Sequence, residues 1–145
     1  MHKKLLLFSD GGARGNPGPA ASAFIVMLEN GQIIATRSRY IGVRTNNQAE
    51  YEALIAALQF AVNVEAEEVV CHLDSELVVK QLTGEYSVKN SALRDLWRQA
   101  KELSRCFKKA NFVSVSRTNP HIQRADELVN KTLDEAMKNS VSGKY

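Results

Sequence analysis

The spacing of apolar and polar residues divides the chain into two parts with different periods. Short apolar or β-branched runs come first, at residues 4–9, 20–28 and 32–40, and they predict three strands. Asn30-Gly31 joins the second and third runs and is typical of a tight hairpin. A loop rich in glycine and proline is predicted at residues 11–19. We therefore expect three antiparallel strands in the first part.

From residue 47 onwards, apolar residues recur every three or four positions, which indicates amphipathic helices. The pattern predicts helices over residues 47–62, 75–82, 90–107 and 122–137, with strands over residues 68–73 and 111–116. The order is therefore βββαβααβα. Antiparallel strands followed by strands with helical crossovers predict an α/β fold with a mixed sheet flanked by helices.

Composition and length indicate one globular domain. The chain has 145 residues, of which 44% are hydrophobic and 24% charged. We assign residues 1–138 to a single domain and residues 139–145 to a flexible C-terminal tail. The apolar runs are too short for a membrane helix or a secretion signal. Cys71 and Cys106 are expected to be buried free thiols, so we expect a cytoplasmic protein, and the length favours a monomer.

Four carboxylates stand beside apolar segments. Asp10 and Asp74 each end a predicted strand, while Glu50 and Asp126 adjoin the apolar stripes of two predicted helices. If the two strands are parallel neighbours, their carboxyl ends meet at one edge of the sheet, where α/β folds place their sites. Like charges there repel one another unless a cation neutralises them. Oxygen ligands in that number suit Mg²⁺ or Mn²⁺.

Each of these acids also has a purely structural interpretation, which the sequence leaves open. Asp10 precedes two glycines and fits a turn, and Glu50 fits a capping box with Asn47. Asp74 fits the cap of the helix that follows it, and Asp126 fits a first-turn acid on a helix dipole.

The motifs around the acids match a known family in order and spacing. They are Asp10-Gly11-Gly12 with Arg14-Gly15-Asn16-Pro17-Gly18-Pro19, Thr45-Asn46-Asn47-Gln48-Ala49-Glu50, Asp74-Ser75 and Ala125-Asp126-Glu127-Leu128. From about residue 4 to residue 137 the chain resembles type 1 ribonuclease H, in particular its short bacterial and archaeal members. The resemblance implies a five-stranded mixed sheet, three antiparallel strands and then two parallel ones, with helices on both faces.

The resemblance also implies an activity. It is endonucleolytic hydrolysis of the RNA strand of an RNA–DNA hybrid, leaving 5′-phosphate and 3′-hydroxyl ends. The four acids would hold two Mg²⁺ ions, with Mn²⁺ as a substitute and Asp10 bridging both, and no organic cofactor is expected. A catalytically weak member of the fold that binds hybrids or double-stranded RNA remains the alternative.

Substrate contacts are expected from short polar groups beside the acids. Those expected to read RNA 2′-hydroxyls are Gly12 and Ala13 through the backbone, and Asn46, Asn47 and Glu76 through their side chains. Asn16 and Thr45 match family positions that contact the DNA strand. Turn chemistry at Asn16 and helix capping at Thr45 or Asn46 are the structural alternatives.

The chain departs from the long members of this family at two places. The basic protrusion is missing, because residues 82–89 lead almost directly into the next helix. Residues 89–109 carry seven basic residues against two acidic ones, although the net charge of the whole chain is only +3. A stripe along that helix is a candidate contact for the duplex backbone or, alternatively, a solvated face. It consists of Arg94, Arg98, Lys101 and Arg105.

The second departure is in the loop predicted at residues 117–124. Long members carry a histidine in this loop, and here His121 lies closer to the acid, five residues before Asp126. A histidine near a metal site is a candidate for proton transfer at neutral pH. It also fits an ordinary surface residue, or a position just inside the start of the helix.

Overall fold

The computed structural model describes residues 2–142 and contains one five-stranded sheet. Its strands are β1 (His2–Ala13), β2 (Gly18–Leu28), β3 (Ile33–Arg44), β4 (Ala66–Leu73) and β5 (Lys109–Ser114). The helices are α1 (Asn46–Asn63), α2 (Glu76–Thr83), α3 (Ser91–Ser104) and α4 (Pro120–Ser142). The strand order is β3-β2-β1-β4-β5. Between residues 2 and 142, no helix is long and apolar enough to cross a membrane.

The central strand β1 separates the antiparallel part of the sheet from the parallel part. It pairs antiparallel with β2, which pairs antiparallel with β3. On its other side it pairs parallel with β4, and β4 pairs parallel with β5. Phe8 is opposite His72 in the parallel register, so Asp10 and Asp74, each two residues further, lie at the same edge. The predicted mixed α/β fold is confirmed.

Helices cover both faces of the sheet. On one face α1 packs its apolar side, including the fully buried Leu54 and Leu58, against Leu5 and Leu7 of β1. On the other face α4 packs Ala125, Val129 and Leu133 against Ala21 and Ala23 of β2. The two packed layers hold β1 rigidly from both sides, and β1 carries Asp10 between them.

The first strand is longer than the sequence pattern predicts. The glycines predicted to form a loop continue β1, with Gly11 opposite Ser22 and Gly12 opposite Ala21. Asp10 therefore lies inside a strand, and its interpretation as a turn residue is wrong. Glycine content is a local signal for loops, but here the pairing with β2 supplies backbone hydrogen bonds that hold the extended conformation.

The third helix is shorter than predicted and ends at Ser104. The next three N–H groups bond to carbonyls only three residues back, which tightens the chain before it enters β5. Cys106 lies in this turn and is exposed, so its predicted burial is wrong, whereas Cys71 is buried. Both cysteines are free thiols, as expected.

The last helix begins earlier and ends later than predicted. Asn119 Oδ1 accepts hydrogen bonds from the N–H groups of His121 and Ile122, at 3.0 and 3.2 Å, so α4 already begins at Pro120. Asn followed by Pro is a favourable helix start, because Pro needs no N–H partner at the first helical position. At the other end, α4 continues to Ser142, four residues into the segment predicted to be a tail. The rest of that segment, residues 143–145, lies outside the described residues.

Candidate metal centre and nucleic-acid cleft

Three of the predicted acids come together at the edge of the sheet. Asp10 on β1, Glu50 on α1 and Asp74 after β4 each offer a carboxylate oxygen, and these oxygens all lie within 4.8 Å of one another. They open into a cleft of about 710 Å³. The other side chains along it belong to Asn46, Asn47, Ser75, Arg117, Ile122, Gln123, Asp126 and Glu127.

The close approach of β1 and α1 places Glu50 beside Asp10. A Cβ on Gly11 would overlap the carbonyl group of Ala49 and lie 2.7 Å from the backbone nitrogen of Glu50. The start of α1 is held by a capping box, in which Thr45 Oγ1 accepts the N–H of Gln48 at 3.2 Å and the Gln48 side chain accepts the N–H of Thr45. Thr45 is thus the helix cap, and the alternative box of Glu50 with Asn47 is wrong.

Burial and mutual repulsion raise the pKa values of these three carboxyl groups when no cation is present. Burial, followed by the charges of Asp74 and Asp126, raises the pKa of Asp10 to about 7. Burial, followed by the charges of Asp10 and Asp74, raises the pKa of Glu50 well above its ordinary value. The pKa of Asp74 is also raised by burial, although the positive charge of Arg117 opposes this.

The donor set fits a divalent cation. Glu50 Oε2 is buried and has no hydrogen-bond partner among residues 2–142, so this acceptor needs a proton or a cation. Carboxylate oxygens are the preferred ligands of Mg²⁺ and Mn²⁺. Asp10, Glu50 and Asp74 are therefore the residues that would hold such an ion.

The fourth acid, Asp126, lies in the same cleft but outside this group of three. It is exposed on the second turn of α4, so its interpretation as a first-turn acid is wrong. Its negative charge contributes to the raised pKa of Asp10. The side chain of Asn130 donates to the carbonyl of Asp126 at 3.1 Å and to its Oδ2 at 3.5 Å.

His121 does not line the cleft described by these residues. It lies in the first turn of α4, and its ring packs on Phe8 with centroids 4.7 Å apart. Phe8 in turn stacks on His72 at 4.3 Å. His121 therefore does not lie in a loop, and the alternative placement just inside the start of the helix is confirmed, because α4 begins at Pro120. The aromatic contact gives His121 a packing role at the base of the helix.

The residues predicted to contact substrate form a network where the β1–β2 loop meets α1. The N–H of Ala13 donates to Asn46 Oδ1 at 2.9 Å, and the N–H of Asn46 donates to Asn16 Oδ1 at 3.0 Å. Both side-chain oxygens are therefore used within the protein. Asn47 lines the cleft, and Gly12 packs beside Val129 on the α4 face of β1.

Glu76 lies at the start of α2, directly after the cap residue Ser75. Its carboxylate pairs with Lys80 at 2.7 Å, and the hydrogen bond from Lys80 lowers the pKa of Glu76. The hydroxyl of Ser75 accepts the N–H of Val78 at 3.3 Å. Ser75, and not Asp74, therefore caps α2, which leaves the carboxylate of Asp74 free for the cleft.

Sequence reasoning missed Arg117 altogether. Its guanidinium lies 3.7 Å from Asp74 and its side chain is 91% exposed. It follows β5, the strand next to β4, so its position just beyond a strand end was the available signal. Gln123 and Glu127 were also missed, because they line the cleft only as a result of the direction in which α4 crosses the sheet.

The basic stripe on α3 is partly used within the protein. Arg94 donates twice to the carbonyl of Val88 at 3.1 Å, and Lys101 donates to the carbonyl of Leu82 at 3.1 Å. Arg98 pairs with Asp95 at 3.4 Å on the exposed surface. Arg105 is the C-terminal cap residue of α3. A contact between this stripe and a duplex stays a prediction.

The fold and the acidic cleft are those of an α/β domain with a carboxylate site at the edge of its mixed sheet, and comparisons with known proteins identify its family. The family model described as "Reverse transcriptase-like" matches residues 8–132. Ribonuclease H of Chlorobium luteolum is 30% identical, over 93% of this chain and 99% of that protein. The chain therefore belongs to the ribonuclease H family. Ribonuclease HI of Halobacterium salinarum is 42% identical, over 89% of this chain and 64% of that protein.

Solved structures show the same fold. The crystal structure of RNase H1 from Halobacterium salinarum matches with a TM-score of 0.87 and 40% identity, covering 91% of this chain and 98% of that one. LC11-RNase H1 in complex with an RNA/DNA hybrid matches with a TM-score of 0.86 and 38% identity, covering 92% and 99%. The chain spans 64% of the curated Halobacterium relative and 38% of the mycobacterial relatives.

The raised pKa values predict that binding of a divalent ion displaces protons. The pKa of Asp10 is about 7, so below that pH its carboxyl is largely protonated, and an ion has to displace that proton. We expect Mn²⁺ to bind more weakly at pH 6 than at pH 8, with more protons released per ion at pH 6. Calorimetric titration in buffers of different ionisation enthalpy measures both quantities. Equal proton release at the two pH values would contradict the raised pKa values.

Proposed function

We propose that this chain hydrolyses the RNA strand of RNA–DNA hybrids at the cleft containing Asp10, Glu50, Asp74 and Asp126. The observation that carries the proposal is the convergence of three carboxylates with an unpartnered, buried Glu50 oxygen in an open cleft. The similarity to LC11-RNase H1, whose structure contains an RNA/DNA hybrid, supports this choice of substrate.

The chemistry assigned to the cleft depends on two divalent ions, Mg²⁺ or Mn²⁺. When bound, such ions activate a water for attack on the phosphodiester and stabilise the charge that develops on the leaving 3′ oxygen. Asp10, Glu50 and Asp74 would hold one ion, and Asp126 together with Asp10 would hold the other. Because water attacks the phosphodiester and the 3′ oxygen leaves, cleavage produces 5′-phosphate and 3′-hydroxyl ends. No covalent intermediate forms on the protein.

Substrate selection is assigned to the network where the β1–β2 loop meets α1. Asn16 and Asn46 are both exposed, and hydrogen bonds to their side-chain oxygens fix their orientation. We assign Asn16 to contact with the DNA strand and Asn46 to contact with the RNA strand. Short polar groups beside a minor groove are suited to reading 2′-hydroxyls, which distinguish RNA from DNA. We place the activity in a monomeric domain of residues 1–138 acting in the cytoplasm, with no organic cofactor.

A strand-labelled cleavage assay tests the proposal. An RNA–DNA hybrid, double-stranded RNA and double-stranded DNA are each incubated with the protein in Mg²⁺, Mn²⁺ or EDTA and resolved on a denaturing gel. We expect metal-dependent loss of only the RNA strand of the hybrid, and end-group analysis should show 5′-phosphates. Tight binding of the hybrid with no cleavage in either metal would favour the alternative, a catalytically weak binding protein.

The stripe on α3 gives a separate prediction. Arg98 makes only an exposed contact with Asp95, whereas Lys101 holds the carbonyl at the end of α2. If Arg98 contacts a phosphate, Arg98→Gln is expected to lower hybrid affinity and to reduce the slope of log K against log salt by about 0.9. Lys101→Gln should mainly reduce thermal stability. An unchanged salt slope in Arg98→Gln would show that this part of the stripe is a solvated face.

A further inference from the structure

Around Asp126, α4 packs on the sheet largely through small side chains. Around Asp126 the helix contributes Ala125 and Val129, and the sheet beneath them contributes Ala21 and Ala23. Gly12 adds no side chain to this surface, and Val129 Cγ1 lies 3.7 Å from where its Cβ would be. Small side chains form a surface with few ridges, so around Asp126 apolar contact constrains sliding of the helix less than it does at Ile122 and Leu133, which are buried against the sheet on either side.

Polar contacts also constrain the axial position of α4, and Arg14 makes three of them. From the loop after β1, its guanidinium pairs with Asp134 at 2.7 Å and donates to the carbonyl of Asn130 at 3.3 Å. Its other terminal nitrogen lies 3.3 Å from the sulfur of Met137. These partners span two turns of α4, so the guanidinium group contacts the helix at three positions along its axis.

The same side of α4 carries Asp126. Residues 126, 130 and 134 follow at intervals of four, so they lie in one row along the helix. Asn130 is bonded at its carbonyl by Arg14, and its side chain donates to Asp126. A shift of α4 along its axis therefore moves the Asp126 carboxylate relative to Asp10 on the rigid central strand.

Arg14 also connects α4 to the predicted substrate network. Two residues after Arg14, Asn16 accepts the N–H of Asn46 at the start of α1. The residue before Arg14, Ala13, donates to the side chain of Asn46. The loop is thus tied to α1 on one side and to α4 on the other.

We propose that Arg14 is a positioning residue for Asp126: through Asp134 and Asn130 it sets the axial position of α4 and so completes the metal centre. This inference rests on the proposed function, because it assigns Asp126 to metal binding. It adds a residue outside the cleft to that centre. An exposed ion pair contributes little to stability, since the Arg14 and Asp134 side chains are 36% and 69% exposed. A role in positioning and a role in folding are therefore separable by experiment.

The test is calorimetric titration of Mn²⁺ into the metal-free protein, together with the Mg²⁺ concentration that gives half-maximal cleavage. Arg14→Gln and Asp134→Asn are each expected to weaken Mn²⁺ binding about tenfold and to raise the Mg²⁺ midpoint about equally. The rate at saturating Mg²⁺ should stay close to that of the wild type. Arg14→Lys, which keeps a positive charge for Asp134 and an N–H donor for the Asn130 carbonyl, should lose less of the affinity than Arg14→Gln.

Lys4→Gln is the matched control, because it removes an exposed ion pair, Lys4 with Glu29 at 3.7 Å, at the far end of β1. Its Mn²⁺ affinity should equal that of the wild type. Unchanged Mn²⁺ affinity in both Arg14→Gln and Asp134→Asn would overturn the inference and leave Arg14 a surface contact. Failure of the wild type to bind Mn²⁺ would instead overturn the metal centre, while Mn²⁺ binding without hybrid cleavage would overturn only the proposed substrate.

Discussion

Asp10→Asn is expected to reduce RNA-strand cleavage about a thousandfold or more, and to make the metal-free protein more stable at pH 8. Asp10 lies on the central strand, only 6% exposed, with Asp74 and Asp126 close enough to raise its pKa. Loss of its charge removes the carboxylate shared by both halves of the proposed metal centre. Ion-mediated stabilisation of a transition state is worth several kcal/mol, and about 4 kcal/mol corresponds to a thousandfold in rate.

The gain in stability follows from the sign of the pKa shift. The pKa of Asp10 is about 7 in the folded protein and near 3.8 when unfolded, so the folded state binds the proton more tightly. Its contribution to stability is therefore present in full at low pH and is lost as the pH rises through about 7. At pH 8 the charged form is buried at a free-energy cost, which Asn removes. We expect a gain of about 1–3 kcal/mol in EDTA.

Thermal unfolding in EDTA at pH 8 and pH 5.5 measures the stability effect, and the labelled hybrid assay measures cleavage. Asp10→Glu is the matched control, because it keeps the charge but displaces it. We expect this variant to cleave slowly and to show no stabilisation at pH 8. Cleavage by Asp10→Asn at close to the wild-type rate would contradict the assignment of Asp10 to the metal centre.

Gly11→Ala is expected to unfold the protein partly or completely. A Cβ at this position would overlap the Ala49 carbonyl and approach the nitrogen of Glu50 to 2.7 Å, and both contacts are with backbone. Neither β1 at the centre of the sheet nor the first turn of α1 has room to move. We expect a loss of about 3 kcal/mol or more, at or above the upper end for overpacking. Cleavage should fall further than stability alone explains, because Glu50 is displaced.

Urea unfolding followed by circular dichroism measures the loss. The neighbouring Gly12→Ala provides the control, because its Cβ would meet only Val129 Cγ1 at an ordinary 3.7 Å. We expect Gly12→Ala to change the free energy of unfolding by less than about 1 kcal/mol. Equal stability of the two variants would show that β1 and α1 are not in close contact at Gly11.

The main elements of the fold were predictable from local patterns. Alternation and apolar runs identified the strands, and three- and four-residue spacing identified the helices, because side-chain periodicity must match the face that each element buries. The boundaries of β1, α3 and α4 were not predictable in this way. The residue pattern predicts a loop at Gly11 and Gly12 and an α3 that extends past Cys106. The observed ends depend instead on hydrogen bonds to the distant strand β2 and on the tight turn after α3.

The acids were predictable as candidates, and so was the meeting of Asp10 and Asp74 at one edge of the sheet, but the cation beside Asp74 was not. Asp10, Glu50 and Asp74 each adjoin an apolar segment, a costly position for a carboxylate, and this signal is visible in the sequence. Arg117 carries only a weaker signal, its position just beyond a strand, because a cation in an exposed loop is common. Only the adjacency of β4 and β5 brings it to Asp74.

By itself, the sequence determined the order of strands and helices, the four candidate acids and the resemblance that relates them. These properties depend on neighbours along the chain or on spacing within one element. Tertiary structure alone decided that Asp126 lies in the cleft but outside the group formed by the other three acids, and that His121 packs on Phe8. It also decided that Arg14 reaches α4 across 120 residues of chain. Such contacts depend on how far one element slides against another, and small differences in packing, invisible in a residue pattern, set that distance.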